Sequence, residues 1–418
     1  MIGIVGAGIT GLTTSFYLDR LGVEHVVLEA SDEPGGVVRS GRVEGRVLEY
    51  GPQRTRATGP LLELVEALDL EDALVEGDPT LPMYVYAAGR LRRAPFSVGT
   101  FLTTDLLSWR AKLRVLAEPL TAPGTPEESA AELFVRKFGL GAYENFIGPL
   151  FGGIYGSDPA RMPAGHAPSP LLALERRSGS LLWPAIRTAL ENTRTPPISF
   201  AEGMGQLPRA LYRATESAVH LGRSVRAIEE RGTGYVLRTD DDSFPVDSVV
   251  LTTPADVTAT LLESTDSDAA DRLRRLRYNP LAIVHLAAET DVEGFGYQVG
   301  RTEGLRTLGV SWNAGLFDRD DVYTCFLGGM DDPLLVDAPD ATVEDVAVEE
   351  FRAVMGADPT VLDVTTLRRG FPAWDYSWTA LEGLRTPDDV HLATNYTGRM
   401  GIPARVADGK RLASRLAG

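Results

Sequence analysis

Gly6, Gly8, Gly11 and Glu29 are the residues whose types and spacing speak most clearly of chemistry. Gly6-Ala7-Gly8-Ile9-Thr10-Gly11 is a GxGxxG turn. In such a turn Gly6 permits the tight bend, Gly8 lets the backbone approach a pyrophosphate, and Gly11 brings helix and strand together. Glu29 stands where a carboxylate accepts hydrogen bonds from a ribose 2′-OH. The amides of Ile9 and Thr10 open a helix, whose N-terminus offers positive potential to phosphates. Three elements must hold this set: the apolar strand Met1–Val5, a helix with Ile9, Leu12 and Phe16 on one face ending near Gly22, and the strand Val26-Val27-Leu28. A glycine motif alone is weak evidence; set between two strands, with an acid at this distance, it specifies a dinucleotide.

The segment after Glu29 narrows the choice of dinucleotide. Ala30 leads into a second glycine pair, Gly35-Gly36, with Arg39 close behind. A second loop near the same ligand, with a cation for phosphate, suits a permanently enclosed group better than a nicotinamide that must leave. FAD is therefore expected rather than NAD. The plainer reading makes Gly35-Gly36 a turn and Arg39 a solvated charge.

Composition removes several function classes. The chain has 418 residues and a formal charge of −17, a field that repels nucleic acid. Only three residues, Lys112, Lys137 and Lys410, are lysine. Cys325 is the single cysteine, so no intrachain disulfide forms and a reducing compartment is compatible. The five histidines are scattered singly, without HExxH, CxxC or GxSxG, so no metal site or nucleophile is expected. A first strand at Met1 leaves no room for a leader, and no apolar run reaches membrane-spanning length. The expected location is cytoplasmic, with peripheral membrane contact open. Arg90, Arg92, Arg93, Arg110, Lys112 and Arg114 lie among Phe96, Phe101, Leu102, Leu106, Leu107 and Trp109 with only Asp105 opposing them; that mixture suits either a membrane surface or a substrate mouth.

The fold class expected is α/β, a Rossmann-like FAD-binding domain built from discontinuous segments, with an antiparallel-sheet substrate domain and an inserted helical domain. Residues 1–58, 200–277 and 366–418 are assigned to the FAD-binding domain, 59–95 and 278–365 to the substrate domain, and 96–199 to the helical insert. A hairpin is expected at Met83–Tyr86, turning at 87–89, and alternating strands at 281–286, 296–299, 308–312 and 323–327. The last strand, Val390–Thr394, leads through Tyr396 and Gly401 into a helix whose first turn holds Ile402 and Pro403. A helix N-terminus aimed at a flavin pyrimidine edge stabilises the charge that reduction places there.

Several segments taken in linear order resemble the flavin-dependent amine oxidase-like superfamily, and within it the oxygen-dependent protoporphyrinogen or coproporphyrinogen oxidases. They are Glu49-Tyr50-Gly51-Pro52, the helix over 128–139, Pro149-Leu150-Phe151-Gly152-Gly153-Ile154-Tyr155-Gly156-Ser157-Asp158-Pro159, Glu175 with Gly179-Ser180-Leu181, and Phe200-Ala201-Glu202-Gly203-Met204-Gly205. Residues 308–317 and 326–329 continue the match, so it covers nearly the whole chain. The resemblance implies dehydrogenation of a porphyrinogen, with hydride passing from a meso carbon to flavin N5 and oxygen leaving as peroxide. No catalytic side chain is implied. The implied cofactor contacts are Gly6, Gly8, Ile9, Thr10, Gly11, Glu29, Ala30, Gly35, Gly36, Arg39, Gly51, Pro52, Gln53, Val225, Thr253, Trp374, Tyr396, Gly401, Ile402 and Pro403.

A porphyrinogen is a wide apolar ring bearing propionates, so its pocket needs apolar walls and a few cations. Arg54 and Arg56 are the candidate carboxylate contacts, and Phe295, Tyr297, Trp312 and Phe317 the candidate walls, each with ordinary surface or core roles as the plainer reading. Cys325 sits in a strand pattern and is read as a small buried hydrophobe. The chain departs from the resemblance at Gln53, at Phe96-Ser97-Val98-Gly99 (where animal and plant relatives carry an arginine), at Trp374 and at Arg399-Met400. The alternatives are a carotenoid desaturase, an amine oxidase with Trp374 and Tyr396 as an aromatic cage, and a prenyl-protein escort that binds without redox chemistry. The choice between the two porphyrinogens and the oligomeric state stay open.

Overall fold

A computed structural model of the chain describes residues 1–191, 195–317, 319 and 321–418. The chain forms two units: one from Met1–Gly77, Thr195–Leu276 and Thr379–Gly418, the other from Asp78–Arg194 and Arg277–Trp378.

The first unit is organised by a five-stranded parallel sheet. Its order is Val219–His220, His25–Leu28, Ile2–Val5, Ser248–Leu251 and Val390–Leu392. Ile2 pairs with both His25 and Ser248, which sets the register at the centre. These strands are nearly continuous Val, Ile and Leu because both faces are covered. On one face the helix Ile9–Arg20 packs with Gln206–Thr215 and Ile402–Leu416, around a core containing Leu12, Phe16, Leu207, Leu211 and Val406. Gly409 makes that packing close: a Cβ there would stand 3.1 Å from the Thr10 carbonyl. Beside the other face lies an antiparallel meander of Ala227–Arg231, Gly234–Arg238 and Ser243–Val246. It approaches so closely that a Cβ on Gly3 would meet Leu237 at 2.6 Å.

The second unit carries a seven-stranded sheet in the order Thr360–Pro372, Tyr278–Ala287, Val322–Gly328, Thr307–Trp312, Gly296–Val299, Met83–Ala87 and Arg90–Arg93. The expected hairpin and alternating strands are all present. Neighbours are antiparallel except Gly296–Val299 beside Met83–Ala87. One face, with Val284, Tyr297, Val310, Trp312, Tyr323 and Cys325, is covered by the helix Asp340–Met355. The same unit holds the helices expected between 96 and 191; residues 192–194 of that stretch lie outside the described ones.

Three expected boundaries change. Residues 59–77 join the first unit rather than the substrate domain, because Leu61, Leu64 and Val65 of the helix Gly59–Ala67 enter its core. Residues 366–378 join the second unit, because Thr360–Pro372 pairs along nearly the whole of Tyr278–Ala287. Finally, the helical stretch and the antiparallel sheet form one unit, not two.

Candidate active site

The glycine turn takes the form its sequence demands. Gly6 has φ +105°, and a Cβ on Gly11 would stand 2.0 Å from the Gly6 carbonyl, so helix and strand meet there with no room for a side chain. A Cβ on Gly8 would meet nothing within 4 Å. Gly8 therefore serves no internal packing; its bareness leaves space beside the turn. The second glycine loop lies against the first: Gly35 donates to the Ala7 carbonyl at 2.8 Å and bridges Gly8, and Gly36 has φ +60°. Gly36 and Arg39 are exposed, as a ligand-facing loop requires.

Glu29 directly follows the strand His25–Leu28, with one carboxylate oxygen accepting from the Ala7 amide at 2.6 Å. The other accepts from the Ser31 amide at 2.9 Å and hydroxyl at 2.8 Å. The acid is thereby fixed beside the turn. Gly8 caps the helix Ile9–Arg20 with no side-chain hydrogen bond and no acidic residue in the first turn. Its opening amides and dipole are thus left for an anion. The helix Ile402–Leu416 repeats this design, with Gly401 at its cap, Pro403 in the first turn, no side-chain cap and no acid. Arg405 braces the loop ahead of it, donating to the Arg399 carbonyl at 2.7 Å and also to the Thr394 carbonyl. Two uncapped helix starts, a bare Gly8 and a fixed ribose acid fit a dinucleotide with a second polar end.

The other residues expected to contact the cofactor have the following surroundings. Gln53 donates to the Glu49 and Gly51 carbonyls at 3.0 and 3.1 Å. Gly51 passes so near Val37 that a Cβ would stand 1.8 Å from its carbonyl oxygen, and Pro52 follows half-buried. Val225, Ile9, Thr10 and Ile402 are buried, and Ala30 is exposed. The Tyr396 hydroxyl is 2.8 Å from Thr258 Oγ1 and donates to the Thr253 carbonyl at 3.3 Å. Tyr396 is buried and its polar tip is bonded internally. Trp374 lies in the second unit, stacked on Trp378.

The substrate candidates divide. Tyr297 and Trp312 are each 1 % exposed and belong to the core beneath Asp340–Met355, so they are not pocket walls. Strand alternation puts them on the helix-covered face. Phe317 is buried with the Arg319 guanidinium 5.2 Å from its ring centroid, and Phe295 is half-buried. Arg54 is half-buried; burial, with help from Arg56, pushes its guanidinium down to about 10, so it is cationic at neutral pH. Arg56 is exposed and donates to the Thr195 carbonyl at 2.6 Å. Cys325 is buried, and burial pushes its thiol well above the ordinary range, the behaviour of a small hydrophobe.

Sequence reasoning missed the buried charges. Lys137 meets Glu118 and Glu175 inside the second unit, all three side chains at most 4 % exposed. Glu118 also accepts from the Ser180 hydroxyl and the amides of Leu181 and Leu182. In the first unit Glu49, 1 % exposed, accepts from the Met204 amide at 3.0 Å and from the Ser40 hydroxyl. The one available signal was a carboxylate inside an apolar strand, Val47-Leu48-Glu49.

A parallel sheet with a glycine turn, ribose acid and second helix terminus defines a flavin-dependent oxidoreductase. The model of the flavin containing amine oxidoreductases matches residues 9–417, and the chain belongs to that family; its cofactor is FAD. The chain is 29 % identical to the chloroplastic protoporphyrinogen oxidase of Oryza sativa subsp. japonica, over 88 % of this chain and 78 % of that one. It is 24 % identical to the coproporphyrinogen III oxidase of Bacillus subtilis, over 89 % and 87 %. Among solved structures, the fold is similar to that of the "Putative protoporphyrinogen oxidase from Exiguobacterium sp. 255-15", with TM-score 0.84, 23 % identity, and 100 % and 98 % of the two chains covered.

Proposed function

We propose that this protein is an oxygen-dependent porphyrinogen oxidase of haem biosynthesis, converting protoporphyrinogen IX or coproporphyrinogen III to the porphyrin. The observation that carries the reading is the likeness to enzymes named for both substrates along most of the chain, joined to an intact dinucleotide cradle. FAD, when bound, supplies a hydride acceptor that oxygen restores. Six hydrogens leave the substrate in three rounds, and three molecules of oxygen become peroxide.

The protein's own work is binding and orientation. Glu29 would hold the ribose, the amides opening Ile9–Arg20 would hold phosphate, and the amides opening Ile402–Leu416 would stabilise charge on the polar flavin edge. Arg54 and Arg56 are the cations assigned to propionates, and Phe295 and Phe317 are the apolar candidates of the second unit. The retained Glu29 and glycine loops speak against a binder that has lost its cofactor.

A cytoplasmic location with peripheral contact to a membrane accompanies this reading. No helix among the described residues is long and apolar enough to cross a membrane. The helix Trp109–Leu116 nevertheless turns Trp109, Leu113 and Leu116 outward, 66, 57 and 50 % exposed, with Leu102 and Leu120 nearby and also exposed. The basic cluster expected there is smaller than its sequence: Arg90 pairs with Asp105, and Lys112 and Arg114 donate to backbone carbonyls, leaving Arg93 and Arg110 outward. Leu106 and Leu107 are buried. An apolar face rimmed by arginine fits an interfacial contact.

The test is a substrate panel on FAD-loaded protein: coproporphyrinogen III, protoporphyrinogen IX, simple amines and a polyene, with oxygen uptake and porphyrin fluorescence followed together. Porphyrin formation with three oxygens consumed per ring is expected. Turnover of an amine or polyene with neither porphyrinogen oxidised would overturn the reading.

A further inference from the structure

Arg405 lies in the opening turn of the helix Ile402–Leu416 and is only 4 % exposed. A buried cation has to be paired and hydrogen-bonded, and the partners of this one are instructive. Nε donates to the Arg399 carbonyl at 2.7 Å, Nη1 donates to the Thr394 carbonyl, and Nη2 pairs with Asp408. Thr394 and Arg399 stand near the two ends of the loop between the strand Val390–Leu392 and the helix, so one planar group pins both. Gly398 makes room for it: a Cβ there would stand 2.3 Å from Arg405 Nη2 and 2.7 Å from Asp408 Oδ2.

What the loop delivers is a pair of backbone donors. The amides of Ala404 and Arg405 both bond the Gly401 carbonyl, at 2.9 and 3.1 Å, and Pro403 has no N–H. The amides of Gly401 and Ile402 have no partner among the described residues. An anionic edge at this helix start is therefore met by those two amides, with the helix dipole behind them. Donors of this kind favour developing charge only when they are aimed beforehand. Gly401 comes two residues after Arg399, so the carbonyl that Arg405 pins sets the direction of both amides.

Resting on the flavin orientation proposed above, we propose that Arg405 is a positioning residue whose fork aims the Gly401 and Ile402 amides at the polar flavin edge and so favours the reduced cofactor. It acts through the loop, and no contact with substrate is assigned to it. The rival account is a field effect, because Asp408 is shared with Arg411 and leaves Arg405 incompletely neutralised. A field needs only the charge, whereas positioning needs the fork.

The test is the two-electron reduction potential of FAD in the purified holoenzyme, with FAD content and melting temperature measured alongside. Arg405→Met removes fork and charge together. Arg405→Lys keeps the charge on a group that cannot span three acceptors. Gly398→Ala keeps the arginine and pushes its fork aside, at small cost because both crowded atoms end side chains. All three variants are expected to lose about tenfold or more in preference for the reduced flavin, a potential lower by about 30 mV or more. A wild-type potential in either Arg405→Lys or Gly398→Ala overturns the proposal: the first assigns the effect to charge, and the second makes the placement of the fork immaterial. Loss of FAD or of melting temperature at an unchanged potential makes Arg405 a purely structural residue and overturns it likewise. Should both Arg405 variants fail to fold, Gly398→Ala decides by the same criterion. The potential is read without substrate, so a failed porphyrinogen panel rejects the function proposed above and is a result distinct from the failure of this role.

Discussion

Lys137 Nζ stands 3.3 Å from Glu118 Oε1 with both side chains withdrawn from solvent, and the same ammonium pairs with Glu175. One cation holding two buried carboxylates is a high-stakes arrangement. Lys137→Met should destabilise the protein by on the order of 3–5 kcal/mol, because both carboxylates lose their counter-charge. The triple variant Lys137→Met, Glu118→Gln, Glu175→Gln should recover most of that loss. Chemical denaturation of the two variants checks this, and equal stability for both would refute it.

Acid dependence follows from the same cluster. Burial alone would raise the Glu118 carboxyl, but the Ser180 hydroxyl, the amides of Leu181 and Leu182 and the Lys137 ammonium together hold it below the ordinary range. A carboxyl lowered by folding contributes stability that is complete above its unfolded value, near 4.5, and is lost as pH falls through the folded value. Wild-type stability should therefore drop on acidification below about pH 4.5, and Glu118→Gln should flatten that limb. Denaturation midpoints measured from pH 3 to 7 (roughly the carboxylate range) decide it.

Gly8 and Gly11 lie three positions apart and should respond oppositely to alanine. At Gly8 the new methyl meets no protein atom within 4 Å, so Gly8→Ala should melt like wild type while losing on the order of tenfold or more in FAD affinity. At Gly11 the methyl would stand 2.0 Å from a backbone oxygen, so Gly11→Ala should itself be destabilised, by about 2 kcal/mol or more. Melting curves with and without added FAD separate the two.

Glu29 carries the third prediction at this turn. Glu29→Ala leaves the Ala7 amide without its acceptor and removes the carboxylate proposed to hold the ribose. Purified protein should retain at least about tenfold less FAD, whereas Glu29→Gln, which keeps an acceptor oxygen, should lose less. Flavin absorbance per polypeptide after gel filtration is the readout.

Cys325 should be inert. Its thiol is buried and held protonated, so a thiol reagent should label native protein only as fast as the protein unfolds. Immediate labelling without denaturant would show the site open.

How far the sequence could be read depended on the range of the interaction. The turn from Gly6 to Gly11, the acid at Glu29 and the Gly401–Pro403 helix start are local signals, each set by backbone sterics within a few residues. Strand alternation located the antiparallel sheet but not which side would be covered. Tyr297 and Trp312 read either as pocket walls or as core, and they face Asp340–Met355, since alternation distinguishes two faces without naming either. The boundaries at 59–77 and 366–378 failed for a related reason: each segment is placed by contacts with residues far along the chain. The pairing of Lys137 with Glu118 and Glu175 has no sequence signature at all, because an ordinary surface lysine reads identically.

The helix Ile402–Leu416 packs on Ile9–Arg20, and Gly409 fits directly against Thr10 and Thr13. During synthesis, then, the nucleotide-binding half stays unfinished until residues 402–416 have left the ribosome. Capture of the cofactor consequently waits for that helix, and a nascent chain halted before residue 402 should emerge colourless.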